Sequence, residues 1–211
     1  EFNDLLIRGS LTAYEMIINQ LRYQDGGLII GAGGGKIKSI NSATAGSERI
    51  YLEDPEGNDV VPFTVGAIVL VQRFDLNRTT VIKKIVRQVS AIQTDNRIDL
   101  TTTTGWTTGN DGGALAAGDD IVAIGHVSNT KLDSNIYMSA TDSGNPFIRV
   151  MDNVDSYADW NLSTKTSVKV QIGNLSALAS YDILPASPGY GLFSDYVYLK
   201  GQIFASSGEV G

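Results

Sequence analysis

Short segments rich in valine, isoleucine and threonine follow one another after residue 27, and they constrain the fold more than any other feature. Branched side chains fit the pleated surface of a sheet, and Asp-Pro, Gly-Asn and Asp-Asn pairs mark turns between the segments. The pattern therefore predicts a mainly β fold. The expected strands are 48–53, 67–74, 79–92 (in one or two pieces), 96–102, 120–127, 135–140, 146–152, 166–172 and 196–205.

Two of these segments resemble each other in form. Gly66 precedes the apolar run 67–71, and Gly118 precedes the similar run 120–124. We interpret them as two walls of one small β-barrel or sandwich. The predicted organisation is a linker and helix over 1–27, the barrel or sandwich over 28–132, and a second β segment over 133–211 that leads towards further modules.

One helix is predicted before the β segments, over residues 11–23. Apolar residues recur there at helical spacing, and Thr12-x-x-Glu15 forms a capping box at its start. Gly26 and Gly27 provide a left-handed end. The apolar stripe consists of Leu11, Tyr14, Ile17, Ile18 and Leu21. This stripe is wide enough to pack on a sheet and on a neighbouring chain together.

The glycine cluster 31-GAGGGK-36 invites comparison with a phosphate-binding loop. A P-loop needs G-x-x-x-x-G-K-[ST] followed by a helix, but Ile30 and Ile37 occupy two of the required positions. The residues after the cluster alternate between polar and apolar, which is typical of a strand. We therefore expect a β-hairpin over 28–40 and no bound nucleotide or other cofactor.

Composition excludes several classes of function. The 211 residues contain no cysteine and carry a net charge of −7, and this acidity argues against a nucleic-acid partner, which needs a basic face. No segment has the apolar length of a membrane span, so membrane insertion is not expected. The start has no signal-peptide pattern. Both ends stop without a terminating structure, which we interpret as a piece of a longer polypeptide.

Few residues are candidates for chemistry. The lone histidine, His126, lacks the partners of a catalytic triad, so a structural role is favoured. Asp152, Asn153 and Asp155 form an acidic turn, for which a solvated surface is the default and a metal site the weaker alternative because the calcium-loop spacing is missing. No recognisable pair of carboxylates or nucleophile points to an enzyme.

Four aromatic residues are candidates for stacking on a ligand such as a sugar. Trp106 lies in the glycine-rich stretch 104–113, where exposure and packing are both open. Tyr157 and Trp160 lie near the acidic turn, and packing in the core is the favoured interpretation for Trp160. The fourth candidate, Tyr190, lies in 189-GYGLFSDYVYLKG-201.

Two longer stretches are similar to segments of tail-tip and tail-fibre proteins of tailed bacteriophages and prophages. The stretch 8-RGSLTAYEMIINQLRYQDGGLII-30 resembles their R-G-x-L-T-x-Y-E-x-x-I-N-Q-x-R segment, and 189-GYGLFSDYVYLKGQIFASSGEVG-211 resembles their G-Y-G-L-x-x-x-x-V-Y-L-K-G pattern. The stretches 60–74 and 134–154 fit the same kind of protein. These motifs are structural, and none is catalytic.

The resemblance implies a structural component of a tail tip or fibre that works in virion assembly and host attachment. It implies a homotrimer, contacts with other tail proteins, and a place in the virion after synthesis in the host cytoplasm. We expect self-association through the N-terminal helix and the last strands. Two alternatives are a carbohydrate-binding module that recognises host surface glycans and a glycan-degrading tail enzyme, which would need two facing carboxylates.

Overall fold

The structure, a computed structural model, describes residues 27–44, 47–54, 57, 60–74, 81–101, 114–142 and 144–200. These residues form eleven strands, one four-residue helix and one 3₁₀ turn. The strands are β1 (Gly27–Ile30), β2 (Gly34–Thr44), β3 (Ser47–Leu52), β4 (Ala67–Phe74), β5 (Val81–Ile92), β6 (Arg97–Thr101), β7 (Asp120–His126), β8 (Asn135–Ser139), β9 (Phe147–Met151), β10 (Val168–Asn174) and β11 (Tyr190–Ser194). The helix α1 is Tyr157–Trp160, and the 3₁₀ turn is Ser176–Leu178.

Six of the strands close into a barrel in the order β2-β3-β6-β5-β4-β7. Every pairing in it is antiparallel. The barrel interior is filled by branched aliphatic side chains, including Ile37, Ile50, Val89, Ile98 and Leu100. The expectation of a small barrel or sandwich is met by a closed barrel, and the two similar runs found in the sequence lie in its neighbouring strands β4 and β7.

The other five strands form an open antiparallel sheet in the order β1-β8-β9-β10-β11. A second core lies between this sheet and the outside of the barrel. On the barrel side it contains Ile68 and Leu70 of β4, whose neighbours Ala67, Val69 and Val71 belong to the barrel interior. Both faces of β4 are therefore buried, which explains why 67-AIVLV-71 is apolar throughout.

The mainly β character predicted from the sequence is confirmed. Eight of the nine expected strands correspond to β3 to β10, with ends shifted by two residues or fewer. The predicted helix over 11–23 lies outside the described residues. Within those residues no helix combines the length and hydropathy needed to cross a membrane. The boundary proposed at 132/133 stays a prediction.

The hairpin expected over 28–40 is wrong. β1 pairs with β8 in the open sheet, whereas β2 pairs with β3 and β7 in the barrel. The glycines between them make this crossing sterically possible. A Cβ at Gly31 would overlap the carbonyl of Ala123, and one at Gly33 would overlap that of Pro62. The cluster is glycine-rich because the backbone passes against other backbone.

The strand expected over 196–205 is also wrong for the residues that the structure describes. Residues 196–200 form no strand, and 201–205 lie outside the described part. The final strand that the structure describes is β11, Tyr190–Ser194. The segment between β10 and β11 is packed, since Leu175, Leu178 and Tyr181 are buried. The pattern of residues in this segment predicts a strand, but a strand also needs a neighbouring strand to pair with. The open edge of β10 is already paired with β11.

Candidate functional site

The acidic turn follows β9 and joins it to α1. The Ser134 hydroxyl donates to Oδ1 of Asp152 at 2.6 Å. Asn153 is exposed with a left-handed backbone (φ 58°), and Asp155 is exposed too. Among the described residues no group of three acidic or imidazole side chains is placed to hold a metal ion. The geometry therefore supplies no support for a metal site at this turn.

The carboxylates around this turn serve local structure. Ser156 caps α1, and its hydroxyl and that of Thr164 donate to the side chain of Asp159. Burial tends to raise the pKa of Asp159, but these hydrogen bonds outweigh it and the pKa is lowered. The interaction with the Asp159 carboxylate raises the pKa of Asp155. The spacing Ser156-x-x-Asp159 is a capping signal visible in the sequence.

This pair of carboxyl groups does not fit glycoside hydrolysis. Asp155 and Asp159 lie within one turn of chain and are close enough to shift each other's pKa, whereas the two carboxyls of a glycosidase stand about 5 Å or more apart on opposite sides of the scissile bond. The turn therefore gives no support to the glycan-degrading alternative.

The three aromatic candidates that the structure describes do not form one exposed surface. Trp160 is 5% exposed and packs 5.4 Å from the Tyr137 ring, so it belongs to the core. Tyr157 is half-buried beside it. Tyr190 is 72% exposed on the edge strand β11. Trp106 lies outside the described residues. Of the three described candidates, only Tyr190 presents an open ring to a ligand.

His126 is held by the backbone at the end of β7. Its Nδ1 accepts from the amides of Ser128 and Asn129 at 3.1 and 2.9 Å. Its Nε2 lies 3.1 Å from the carbonyl of Val65, to which it can only donate. These hydrogen bonds require the tautomer with its proton on Nε2. Nδ1 holds the turn after β7 and Nε2 holds the loop before β4, which is the structural role that the sequence favoured.

Arg149 is a buried cation that the sequence reasoning missed. It is 5% exposed on the inner face of β9, where its Nε donates to Gln171 at 2.6 Å and its guanidinium lies 4.2 Å from the centre of the Phe147 ring. Desolvation lowers its pKa to about 10. A single arginine within 147-FIRVM-151 gives no sign in the sequence of which side of the sheet it faces.

The side of the open sheet that points away from the barrel carries apolar side chains on all five strands, with the polar Ser194 of β11 at one corner. Cross-strand register aligns its side chains in two rows. One row is Leu28, Met138, Ile148, Ile172 and Leu192, and the other is Ile30, Ile136, Val150 and Val170. We call these nine residues the outer face. A groove of about 590 Å³ runs along it, lined by Leu28, Met138, Ile148 and Ile172.

The outer face differs from what a solvated sheet presents. Antiparallel sheets with one wet face normally alternate apolar and polar residues, yet β9 alternates between two sets of apolar side chains, with Arg149 as its one polar residue. Apolar residues on both sides of the strand 147–151 predict that both of its faces are packed. This is the signal in the sequence that could have identified the outer face.

Apolar and aromatic exposure continues past β11. Residues 196–199, which we call the aromatic run, consist of Tyr196, Val197, Tyr198 and Leu199. All four side chains are exposed, Tyr198 to 92%. Contiguous exposed apolar surface of this kind marks interaction sites in soluble proteins. The outer face and the aromatic run are therefore the two candidate interaction surfaces among the described residues.

Comparison with protein-family models, curated proteins and solved structures finds no match to this chain.

Proposed function

We propose that this chain is a structural component of a bacteriophage tail tip or tail fibre that acts in virion assembly and host attachment as part of a homotrimer. The observation that supports this most directly is the aromatic run. It lies in the stretch 189-GYGLFSDYVYLKG-201, which resembles a recurring fibre pattern. In a single chain its side chains are exposed, which is costly for an isolated protein and useful for an assembled one.

The chemistry of the run suits a contact between chains. A tyrosine is apolar in its body and polar at its tip, so Tyr196 and Tyr198 can be buried at an interface with their hydroxyl groups satisfied. The net charge of −7 per chain opposes association, and this repulsion is screened by salt. We therefore expect an apolar contact that strengthens as the salt concentration rises.

The test is the mass of the full chain in solution by sedimentation equilibrium. We expect a trimer, and we expect the double substitution Tyr196→Ser and Tyr198→Ser to shift the population towards monomer while the β signal in circular dichroism is retained. The matched control is Ile183→Ser, because Ile183 is 86% exposed but lies outside the run. A single species at the monomer mass, unchanged by salt and protein concentration, would contradict the proposal.

The carbohydrate-binding alternative rests on one described residue. Tyr190 offers an open ring on β11, and sugars stack on such rings. This alternative predicts binding on a bacterial glycan array that Tyr190→Ala abolishes and Tyr190→Phe retains. An array on which the intact chain binds no glycan would contradict this alternative, and only the structural proposal would remain.

A further inference from the structure

We propose that the outer face of the open sheet is the docking surface for residues 11–23 of the same chain. These residues would lie across the five strands as an amphipathic helix. The proposal concerns the packing of a single chain, so it stands independently of any role in a phage tail.

The first argument is the nature of the face. Two rows of aliphatic side chains cross the sheet, and six of the nine residues are more than a third exposed in the structure. Moving such a side chain from water into an apolar contact is favourable, because apolar surface is removed from water. A sheet with an apolar face of this extent is stable when a second layer covers it.

The second argument is where the chain enters the described structure. Residues 1–26 lead directly into Gly27, which begins the edge strand β1 and itself lines the groove. The four peptide steps from residue 23 to Gly27 can span about 13 Å. Packed layers lie about 10 Å apart, so this connection is long enough to bring residues 11–23 above the sheet.

The third argument is a match of length and pattern. Thirteen helical residues span about 20 Å, and the four spacings between five strands add up to about 19 Å. The sequence places an apolar stripe on one side of this segment, with Ile17 and Ile18 near its middle. Ile148 lies at the middle of the sheet, on the central strand β9. A helix laid across the strands therefore brings Ile18 over Ile148.

Hydrogen exchange followed by mass spectrometry tests the packing in the full chain. We expect peptides covering 11–23 to be protected, because docked segments open only through local unfolding. Ile148→Asp should speed their exchange by at least about tenfold, the factor that corresponds to losing the burial of one isoleucine. Ile40→Asp is the matched control, since Ile40 is 41% and Ile148 42% exposed, and Ile40 lies in the barrel strand β2.

Cross-linking identifies the occupant. The chain has no cysteine, so Ile18→Cys with Ile148→Cys creates one thiol pair for a short bismaleimide reagent. We expect an intrachain product with the monomer mass. The matched control replaces Ile18→Cys by Asn19→Cys, which turns the thiol away from the stripe by about 100° and should give much less product.

Three results would overturn the proposal. Products formed only between chains would assign the face to a second copy. Equal yields of intrachain product from the Ile18→Cys and Asn19→Cys variants would show that the apolar stripe of the segment does not face the sheet. Exchange of 11–23 at the rate of an unstructured peptide in the unsubstituted chain would show that this segment does not cover the face.

Discussion

The barrel and the open sheet are both built from antiparallel strands. They differ in how many of their strand edges and faces are packed against other described residues of the chain. The barrel closes on itself, so it leaves no free strand edge. Its interior is filled mainly from its own six strands, with Phe63 and Leu115 added from adjoining loops. The sheet has two edges, β1 and β11, and only its inner face is packed, against the barrel wall. The sheet is therefore the part of the molecule that needs further contacts.

The difference shows which part of the molecule offers surfaces for contact with other molecules. The barrel is a self-sufficient support that buries one face of the sheet. Both candidate interaction surfaces, the outer face and the aromatic run, lie on the sheet side or continue directly from its last strand. The four predictions below test this division between a closed support and an open assembly surface, from the largest expected effect to the smallest.

The largest effect is expected inside the barrel. Lys83 and Asp119 are buried there with 2.6 Å between Nζ and Oδ2. Asp119→Asn leaves the lysine charge without its partner, which should lower the free energy of unfolding by about 3–5 kcal/mol. The measurement is chemical denaturation at pH 7.

Two controls make this test specific. Adding Lys83→Met to Asp119→Asn should recover most of the loss, since no uncompensated charge remains. On the sheet, Lys169 and Asp195 form a half-exposed pair at 3.5 Å, and Asp195→Asn should cost less than about 1 kcal/mol. Equal losses at the two pairs would contradict the contrast between barrel and sheet.

The crossing between the sheet and the barrel is the second target. Gly31→Ala forces a methyl group against the carbonyl of Ala123 in β7, and we expect a loss of about 1–3 kcal/mol, as for other overpacked sites. Gly189→Ala is the matched control, because a Cβ there meets no atom within 4 Å. Thermal unfolding of both variants measures the difference, and a neutral Gly31→Ala would show that the two backbones can separate freely.

The link between the sheet and the barrel should show a smaller effect. Tyr137 of β8 donates to Oδ2 of Asp142 at 2.9 Å, and Lys84 of β5 lies 3.6 Å from the same oxygen. Tyr137→Phe removes the hydrogen bond and keeps the ring packing, so we expect a loss of about 1 kcal/mol. The exposed Tyr190→Phe should change nothing measurable. If Tyr137→Phe separates unfolding into two transitions, this link couples the two regions.

The smallest effect is electrostatic and depends on pH. Burial raises the pKa of Asp133, just before β8, and the nearby charge of Asp152 adds to the rise. Below its ordinary pKa of 3.8, such a carboxyl group is protonated in both the folded and the unfolded chain. As the pH rises through the raised folded-state pKa, the group must ionise in a buried place, and the fold loses stability. Asp133→Asn should therefore stabilise the protein at pH 7 and have little effect at pH 3.5.

The comparison for this prediction is the thermal midpoint of each variant relative to the unsubstituted chain at both pH values. Asp182→Asn, at an exposed position, should give the same difference at the two pH values. A gain from Asp133→Asn that is equal at pH 3.5 and pH 7 would mean that the charge of Asp133 is not its cause.

The strands themselves could be predicted because their signal is local. Branched residues and turn pairs locate β4 without error and most other strands to within two residues, since a strand is extended whatever lies beside it. The candidate site was less predictable. The sequence favours core packing for Trp160, and the structure agrees. It does not distinguish Tyr157, which is half-buried, from Tyr190, which is exposed on an edge strand, because exposure depends on elements that are distant along the chain.

The sequence by itself determined the β class, the acidic charge, and the capping and turn residues, all of which depend on neighbouring residues. Only the tertiary structure decided that β1 pairs with β8 and not with β2, that β11 and not 196–200 is the last described strand, and that the described residues leave one apolar face of the sheet uncovered. The physical reason is that a period of two shows which side chains share a face of a strand. What packs against that face depends on strand pairings between distant residues.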